Sequence, residues 1–258
     1  MRRLSKHATP IIVGGMLPVA ALFGLEIAAR SGLVNPTFLP PPSAVFAALA
    51  DIVHSWTFAR PLAETVSLLF IGYGIGCVAA IVLGVLMGSL RPIYNLFEPL
   101  TELLRPLPKP ALLPVLILFL GLGAKMEITI VALGCFFPVL INTLQGVRAV
   151  DPTMINTART FGHGRFAIWR RILLPASAPY VLAGMRVSLG LGLILAVTAE
   201  MISGNGGLGD AILRAQRLFL VSESYAWLVV LALLGIVLTW LFNKVERHLT
   251  FWNAPRIT

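Results

Sequence analysis

A polar segment, residues 151–175, lies between two strongly apolar stretches and reads DPTMINTARTFGHGRFAIWRRILLP. Asp151 is a good N-cap and Pro152 a good first residue for a helix, and the Gly-His-Gly sequence at 162–164 predicts its end about three turns later. The apolar positions recur at three- and four-residue spacing: Ile155, Ala158, and Phe161 or Gly162. This pattern predicts a short exposed helix suited to docking on a partner protein.

A second short helix is predicted over residues 165–173. Ile168 and Ile172 lie on one of its sides, and Pro175 is expected to end it. Five arginines lie within residues 148–171, so the whole segment is basic. The alternative interpretation is an ordinary basic loop beside a membrane.

Sequence signatures of enzymes are absent. Without a Gly-x4-Gly-Lys-Ser/Thr sequence, the chain has no phosphate-binding loop for ATP, so energy must come from elsewhere. The histidines are scattered and form no metal-ligand set: His7, His54, His163 and His248. Cys77 and Cys135 form neither a CxxC motif nor a disulfide framework and are interpreted as packing residues. We therefore predict no catalytic, cofactor-binding or metal-binding residues.

The composition is that of a membrane protein. The 258 residues are 57% hydrophobic and 12% charged, and the mean hydropathy is +0.88. Six apolar stretches predict an all-α, polytopic membrane helical bundle of about six transmembrane helices. They are residues 11–25, 65–90, 111–124, 128–147, 187–199 and 224–243.

The basic residues give an orientation. With the N-terminus inside, fourteen lysines and arginines lie in cytoplasmic stretches and five in outer stretches. This positive-inside bias predicts that both termini and the 151–175 segment are cytoplasmic. It also explains the net charge of +9, so no nucleic-acid partner is implied. The first apolar stretch is interpreted as an uncleaved anchor, because no convincing small-x-small cleavage site follows it.

Four regions follow from these patterns. Residues 1–30 form an N-terminal tail and the first transmembrane helix, and residues 31–60 form an extracytoplasmic connection with a short amphipathic helix after the prolines. Residues 61–242 form the transmembrane core, which includes the 151–175 segment. Residues 243–258 form a cytoplasmic tail.

Two predicted spans carry small residues every four positions. One ridge consists of Gly72, Gly76, Ala80, Gly84 and Gly88, and the other of Gly184, Ser188, Gly192 and Ala196, with Glu200 next in register. Such ridges let helices approach closely in lipid, either within the chain or at a dimer contact or substrate path. Ser188, Gly192 and Glu200 are therefore candidate pathway or gate residues. The alternative for Glu200 is a structural carboxylate with a partner near the outer interface.

Prolines interrupt the start of the third span. The sequence RPLPKPALLP at 105–114 removes several backbone donors, so unpaired carbonyls must be met by protein or water. A broken helix of this kind is tolerated where it faces a cavity. Glu98, Glu102 and Arg105 lie alongside and are interpreted as a solvated interfacial cluster.

The central segment resembles a known loop. The spacing Ala158-x3-Gly162-x9-Ile172-x-Leu174-Pro175 is similar to the EAA loop of the inner-membrane permease subunits of binding-protein-dependent ABC importers. The stretches LPPPSAV, LLRPLPKPALLPVLILFLGLG, FFPVLINTLQGVRAVDP and AEMISGNGGLG resemble the sulfonate, taurine and nitrate branch of that family. Asn156 stands where the family motif usually has Glu, and the loss of this carboxylate is expected to weaken a charge contact.

The resemblance implies a permease fold like that of type I ABC importers, in a bacterial inner membrane, with cytoplasmic coupling helices. It further implies a homodimer, two cytoplasmic ATP-binding subunits that hold the ATP, and an extracytoplasmic solute-binding protein that selects a small anionic solute. The implied ATPase-coupling residues are Asn156, Ala158, Gly162, Ile172, Leu174 and Pro175. The rival class, a secondary transporter driven by an ion gradient, would need paired intramembrane charges and usually an internal repeat, which the sequence lacks. A purely structural membrane anchor is a third class.

Overall fold

The computed structural model describes residues 5–35 and 37–250, with side chains from residue 17 onward except at position 165. Throughout this part of the chain the regular elements are helical. Eleven α-helices are joined by a 3-10 turn, Lys109–Leu112, and a π turn, Trp169–Leu173. The α-helices are α1 Ser5–Arg30, α2 Pro42–His54, α3 Ala59–Ser89, α4 Arg91–Leu104, α5 Leu113–Leu120, α6 Ala124–Arg148, α7 Pro152–Thr160, α8 Arg165–Ile168, α9 Leu174–Ser203, α10 Gly207–Arg217 and α11 Val221–Leu249.

The chain divides into two compact units, of which the smaller comprises residues 1–61 and 211–232. The short helix predicted after the prolines is α2, and it begins at Pro42, where a missing N–H costs nothing. Glu26 of α1 accepts hydrogen bonds from the backbone N–H of Ser43 at 2.9 Å and from its hydroxyl at 2.7 Å. A carboxylate at this helix N-terminus satisfies free donors and complements the helix dipole.

The larger unit comprises residues 62–210 and 233–258, and α6 lies at its centre. The small-residue ridge of α3 packs directly on α6. A Cβ atom at Gly72 would lie 2.8 Å from the carbonyl oxygen of Ile128, and one at Gly76 would lie 2.5 Å from that of Ala132. Both distances are shorter than van der Waals contact, so only glycine permits this approach.

The ridge of α9 packs on α6 in the same way. A Cβ atom at Gly184 would lie 3.0 Å from the carbonyl oxygen of Pro138, and one at Gly192 would lie 2.9 Å from the sulfur of Cys135. Both ridges therefore serve helix contacts inside the chain. The side chains between them are fully buried and apolar: Met126, Ile130, Val131, Cys135, Val139 and Leu140.

Four of the described helices are long and apolar enough to cross a membrane: residues 59–89, 124–148, 166–203 and 221–249. They contain four of the six predicted stretches. The stretch predicted over 111–124 is interrupted at the prolines, as the sequence indicated, and α5 has only eight residues. Instead α4 and residues 109–120 form a pair bent by 91° at the prolines, which together are long enough to cross once. The first predicted stretch, 11–25, lies partly outside the residues whose side chains are described.

Candidate functional site

The first helix of the 151–175 segment is α7, and its ends follow the prediction. Asp151 is the N-cap, and its carboxylate accepts a hydrogen bond from the backbone N–H of Thr153 at 2.8 Å. This bond stabilises the charged form and lowers the pKa of Asp151. At the other end Gly162 has φ +77°, a conformation that favours glycine, and its N–H donates to the carbonyl of Arg159 at 2.9 Å.

One face of α7 is packed into the chain's own core. Ala158 is only 6% exposed, and Ile155 is partly buried beside it. The buried residues of this cluster come from α3, from the end of α6 and the turn after it, from α7, and from the second half of the loop: Val85, Val147, Val150, Ala158, Ile168 and Leu173. Ala158, expected at the ATPase contact, therefore packs within this chain and fixes α7 to the ends of two long helices. Ile172 is half-buried against the same cluster.

The second half of the segment differs from the prediction. The helix does not end at Pro175: α8 runs through the π turn into α9 without a break, giving one helical stretch over residues 166–203. Pro175 is tolerated because it lies in the first turn of α9, where an absent donor matters least, directly after the widened π turn. Leu174 is 42% exposed and Pro175 is exposed, so both lie on the accessible side of the loop.

The loop also presents large apolar side chains to solvent. Met154 is 53% exposed, Phe161 78% and Phe166 77%. Phe161, which the sequence grouped with Ile155 and Ala158 on one apolar face, is separated from them because it is the C-cap residue of α7, where the backbone leaves the helical path. Met154 and Phe166 were not identified from the sequence; Met154 lies four residues before the buried Ala158 and is nevertheless exposed. We name Met154, Phe161 and Phe166 the exposed apolar face.

The remaining predicted coupling residues lie on this accessible side. Asn156 is exposed, and a Cβ atom at Gly162 would meet no atom within 4 Å. The arginines Arg159, Arg170 and Arg171 are also exposed, and Asp151 is the one carboxylate in the segment. Exposed aromatic side chains among cations form a surface typical of protein docking sites.

At the far end of α9, Glu200 lies among backbone donors. It is 1% exposed, and one carboxylate oxygen accepts the N–H of Gly209 at 2.9 Å. Glu64 accepts the N–H of Gly207 at 2.9 Å, and the hydroxyl of Thr65 accepts that of Leu208 at 2.8 Å. These three side chains occupy the free donors at the start of α10. One carboxylate oxygen of Glu200 thus has a backbone partner, whereas the other, Oε1, is buried without a hydrogen-bond partner among the described residues.

The other two candidate pathway residues lie inside helix contacts. The Ser188 hydroxyl is fully buried and donates to the carbonyl of Met185 at 3.0 Å. Gly192 is buried against α6 and Leu69. A pathway role for these residues stays a prediction.

Comparison with known proteins decides the family. The family described as the binding-protein-dependent transport system inner membrane component matches residues 76–257. The chain belongs to this family. It is a multi-pass membrane permease subunit of an ABC importer, so the predicted class is confirmed and the secondary-transporter alternative is not supported.

Two curated relatives cover most of the permease. A putative ABC transporter permease of Methanocaldococcus jannaschii is 34% identical over 224 residues, which cover 85% of this chain and 84% of the relative. The taurine transport system permease protein TauC of Escherichia coli K12 is 29% identical, covering 86% and 82%. The expected resemblance to the sulfonate, taurine and nitrate branch is thus confirmed.

A solved structure shares the fold. The inward-facing MetNI methionine ABC transporter contains a chain that aligns with a TM-score of 0.66 at 20% identity, covering 76% of this permease and 98% of that chain. This match confirms the predicted fold class, a type I importer permease.

Proposed function

We propose that this permease forms, as a homodimer, the translocation pathway for a small anionic solute of the sulfonate, taurine or nitrate type. Two separate cytoplasmic ATPase subunits bind the ATP and dock on the 151–175 loops, and an extracytoplasmic binding protein delivers the solute. Both termini and the loop face the cytoplasm. Residues 61–242 supply the transmembrane core, between the 31–60 connection and the 243–258 tail.

The observation that carries this proposal is the division of the loop into a packed side and an exposed side. Ala158 holds α7 against α3 and α6, while the exposed apolar face of Met154, Phe161 and Phe166 is free to enter a groove. Because the packed side is continuous with long helices, a force on the exposed side moves those helices as rigid bodies. This arrangement suits the transfer of motion from an ATPase to a transport pathway.

The charge of the loop indicates the nature of the partner surface. Three exposed arginines lie in the same loop as the exposed apolar face, and the Asp151 carboxylate is engaged as a helix cap. The complementary ATPase surface is therefore an apolar groove with an acidic rim. Asn156, which is neutral and exposed, leaves one fewer charge for this contact than the glutamate usual in the family.

The solute class rests on the relatives. TauC is named for taurine, whose functional group is a sulfonate, and it covers most of this chain. The binding protein is expected to select the individual solute.

The test is uptake by the permease reconstituted in liposomes with its ATPase and binding protein. Labelled taurine, an alkanesulfonate and nitrate are offered separately, with ATP or with an imposed proton or sodium gradient. We expect uptake of at least one solute with ATP, and none when an ATPase variant unable to hydrolyse ATP replaces the wild type. Uptake driven by a gradient without ATP would favour a secondary transporter and overturn the proposal.

A further inference from the structure

The break between α4 and α5 places a lysine at a helix end. Three backbone carbonyls around the prolines, those of Leu104, Arg105 and Leu107, accept hydrogen bonds from the Lys109 ammonium at 2.8, 3.4 and 3.0 Å. The ammonium thus satisfies the open C-terminus of α4 and complements the negative end of its dipole. The positive charge is held in place by the backbone.

This charge lies halfway along a membrane-spanning helix. The Lys109 ammonium is 4.2 Å from the ring centre of Phe137. Phe137 stands thirteen residues after Ala124 and eleven before Arg148, the ends of α6. At 1.5 Å per residue these separations are about 20 and 16 Å. Lys109 is one of the fourteen basic residues that the positive-inside count assigns to cytoplasmic stretches. The proline break instead brings its side chain to this depth. A cation at such a depth faces protein or a water-filled cavity and marks a pathway for ions or solutes.

A cavity of about 370 Å³ opens at the same place. Its polar lining consists of Arg105, Lys109 and Asn142, and its walls include Ile141 and Leu191. Among the residues that the structure describes, no carboxylate lines it. Its volume is at the lower end of the range for small-molecule sites. The cavity therefore combines a positive field with room for one small solute.

Arg105 is the group in this cavity that is available to a ligand. Its side chain is 53% exposed. Its only described ion pair, with Glu102, has an N–O distance of 3.8 Å, and the Glu102 side chain is 61% exposed, so the pair is weak. The donors of Lys109, by contrast, are occupied by the backbone. A guanidinium presents a planar fork of donors that matches the oxygens of an oxyanion.

We propose that this cavity is a transit site for a small oxyanion on the translocation pathway. Arg105 contacts the anion, and Lys109 supplies a fixed positive potential. The inference rests on the proposed import of sulfonate-like solutes. It adds the site in the permease at which the protein binds the anion during transport. Because Arg105 is exposed and its charge partly screened, binding there is weak enough for the solute to leave again.

The electrostatic part is tested without knowledge of the solute. A single cysteine is placed in the cavity wall by Ile141→Cys in the assembled transporter. It is labelled with an anionic reagent, sulfonatoethyl methanethiosulfonate, and with its cationic trimethylammonium analogue. Wild type is the background control, because native Cys77 and Cys135 are 3% and 0% exposed. We expect the anionic-to-cationic rate ratio to fall about tenfold when Arg105→Gln is added. Arg91→Gln, which removes an exposed arginine at the other end of α4, should leave the ratio unchanged.

The transport part uses the same arginine variants in liposomes, with the solute that the wild type imports. Arg105→Gln should lower uptake several-fold while the ATPase stays bound, and Arg105→Lys should restore most of it. Equal uptake and equal labelling ratios in Arg105→Gln and Arg91→Gln would overturn the transit site. Absence of ATP-driven uptake in the wild type would instead refute the proposed function, and the labelling ratio would still decide whether the cavity attracts anions.

Discussion

Replacement of Gly76 by alanine tests the close packing of α3 on α6. The added Cβ would lie 2.5 Å from the carbonyl oxygen of Ala132 and 3.1 Å from its Cα. Ordinary contact begins at about 3.4 Å. Because both neighbouring atoms belong to the backbone, no side-chain rotation relieves the clash. The two helices must therefore separate by roughly 0.9 Å, the difference between 3.4 and 2.5 Å.

The expected cost is that of overpacking, about 1–3 kcal/mol in the free energy of unfolding. Gly74 provides a matched control on the same helix, since a Cβ there meets no atom within 4 Å. Gly74→Ala should gain the helix preference of alanine, about 0.5–1 kcal/mol. The difference between the two variants should thus be about 1.5–4 kcal/mol.

Thermal unfolding of the purified permease in detergent measures this difference. For a chain of this size 1 kcal/mol corresponds to about 2–4 °C in Tm. Gly76→Ala is therefore expected to unfold roughly 3–16 °C below Gly74→Ala, and Gly76→Leu lower still. Equal or higher thermal stability of Gly76→Ala would mean that the α3 ridge faces lipid or open space, and the packing scheme would be wrong.

Three further predictions concern the coupling loop. Gly162→Ala places a side chain on a residue with φ +77°, which costs roughly 1–2 kcal/mol, and it should reduce solute-stimulated ATP hydrolysis. The control, Gly164→Ala, changes a glycine with an ordinary φ and should leave the hydrolysis rate unchanged. Because the pKa of Asp151 is lowered, its carboxylate caps α7 fully at pH values above the ordinary aspartate range, and this capping hydrogen bond is lost as the pH falls through the lowered pKa. Amide exchange in α7, corrected for its intrinsic rate, should therefore accelerate on acidification in wild type but not in Asp151→Asn. Alkaline phosphatase fused after His163 should be inactive, and activity would contradict the cytoplasmic assignment of the loop.

The sequence predicted the elements that depend on local chemistry. The cap at Asp151, the positive φ at Gly162 and the helix after the prolines at residues 40–42 all follow from the preferences of individual residues. The small-residue ridges were also visible, because a four-residue repeat needs no knowledge of the partner helix. That both ridges pack on α6 required the structure.

Features that depend on tertiary contacts were missed. The amphipathic helices α4 and α10 were not predicted. The start of α10 is stabilised by Glu64 and Glu200, which are distant in sequence and accept hydrogen bonds from its free backbone N–H groups. The depth of Lys109 follows from a bend whose angle the prolines permit but do not specify. Likewise, the sequence placed Ala158 and Phe161 on one apolar face, whereas Ala158 is buried against the chain itself and Phe161 stays exposed.

The central claim, that the exposed apolar face holds the ATPase, is tested most directly by co-purification. Phe161→Ser and Phe166→Ser change side chains that are 78% and 77% exposed, so the permease should fold normally. Loss of an aromatic contact worth about 2 kcal/mol should weaken ATPase binding roughly thirty-fold. Phe46→Ser, at a position 59% exposed in α2, is the control and should keep the ATPase bound. Full co-purification and normal solute-stimulated ATP hydrolysis in both loop variants would contradict the account.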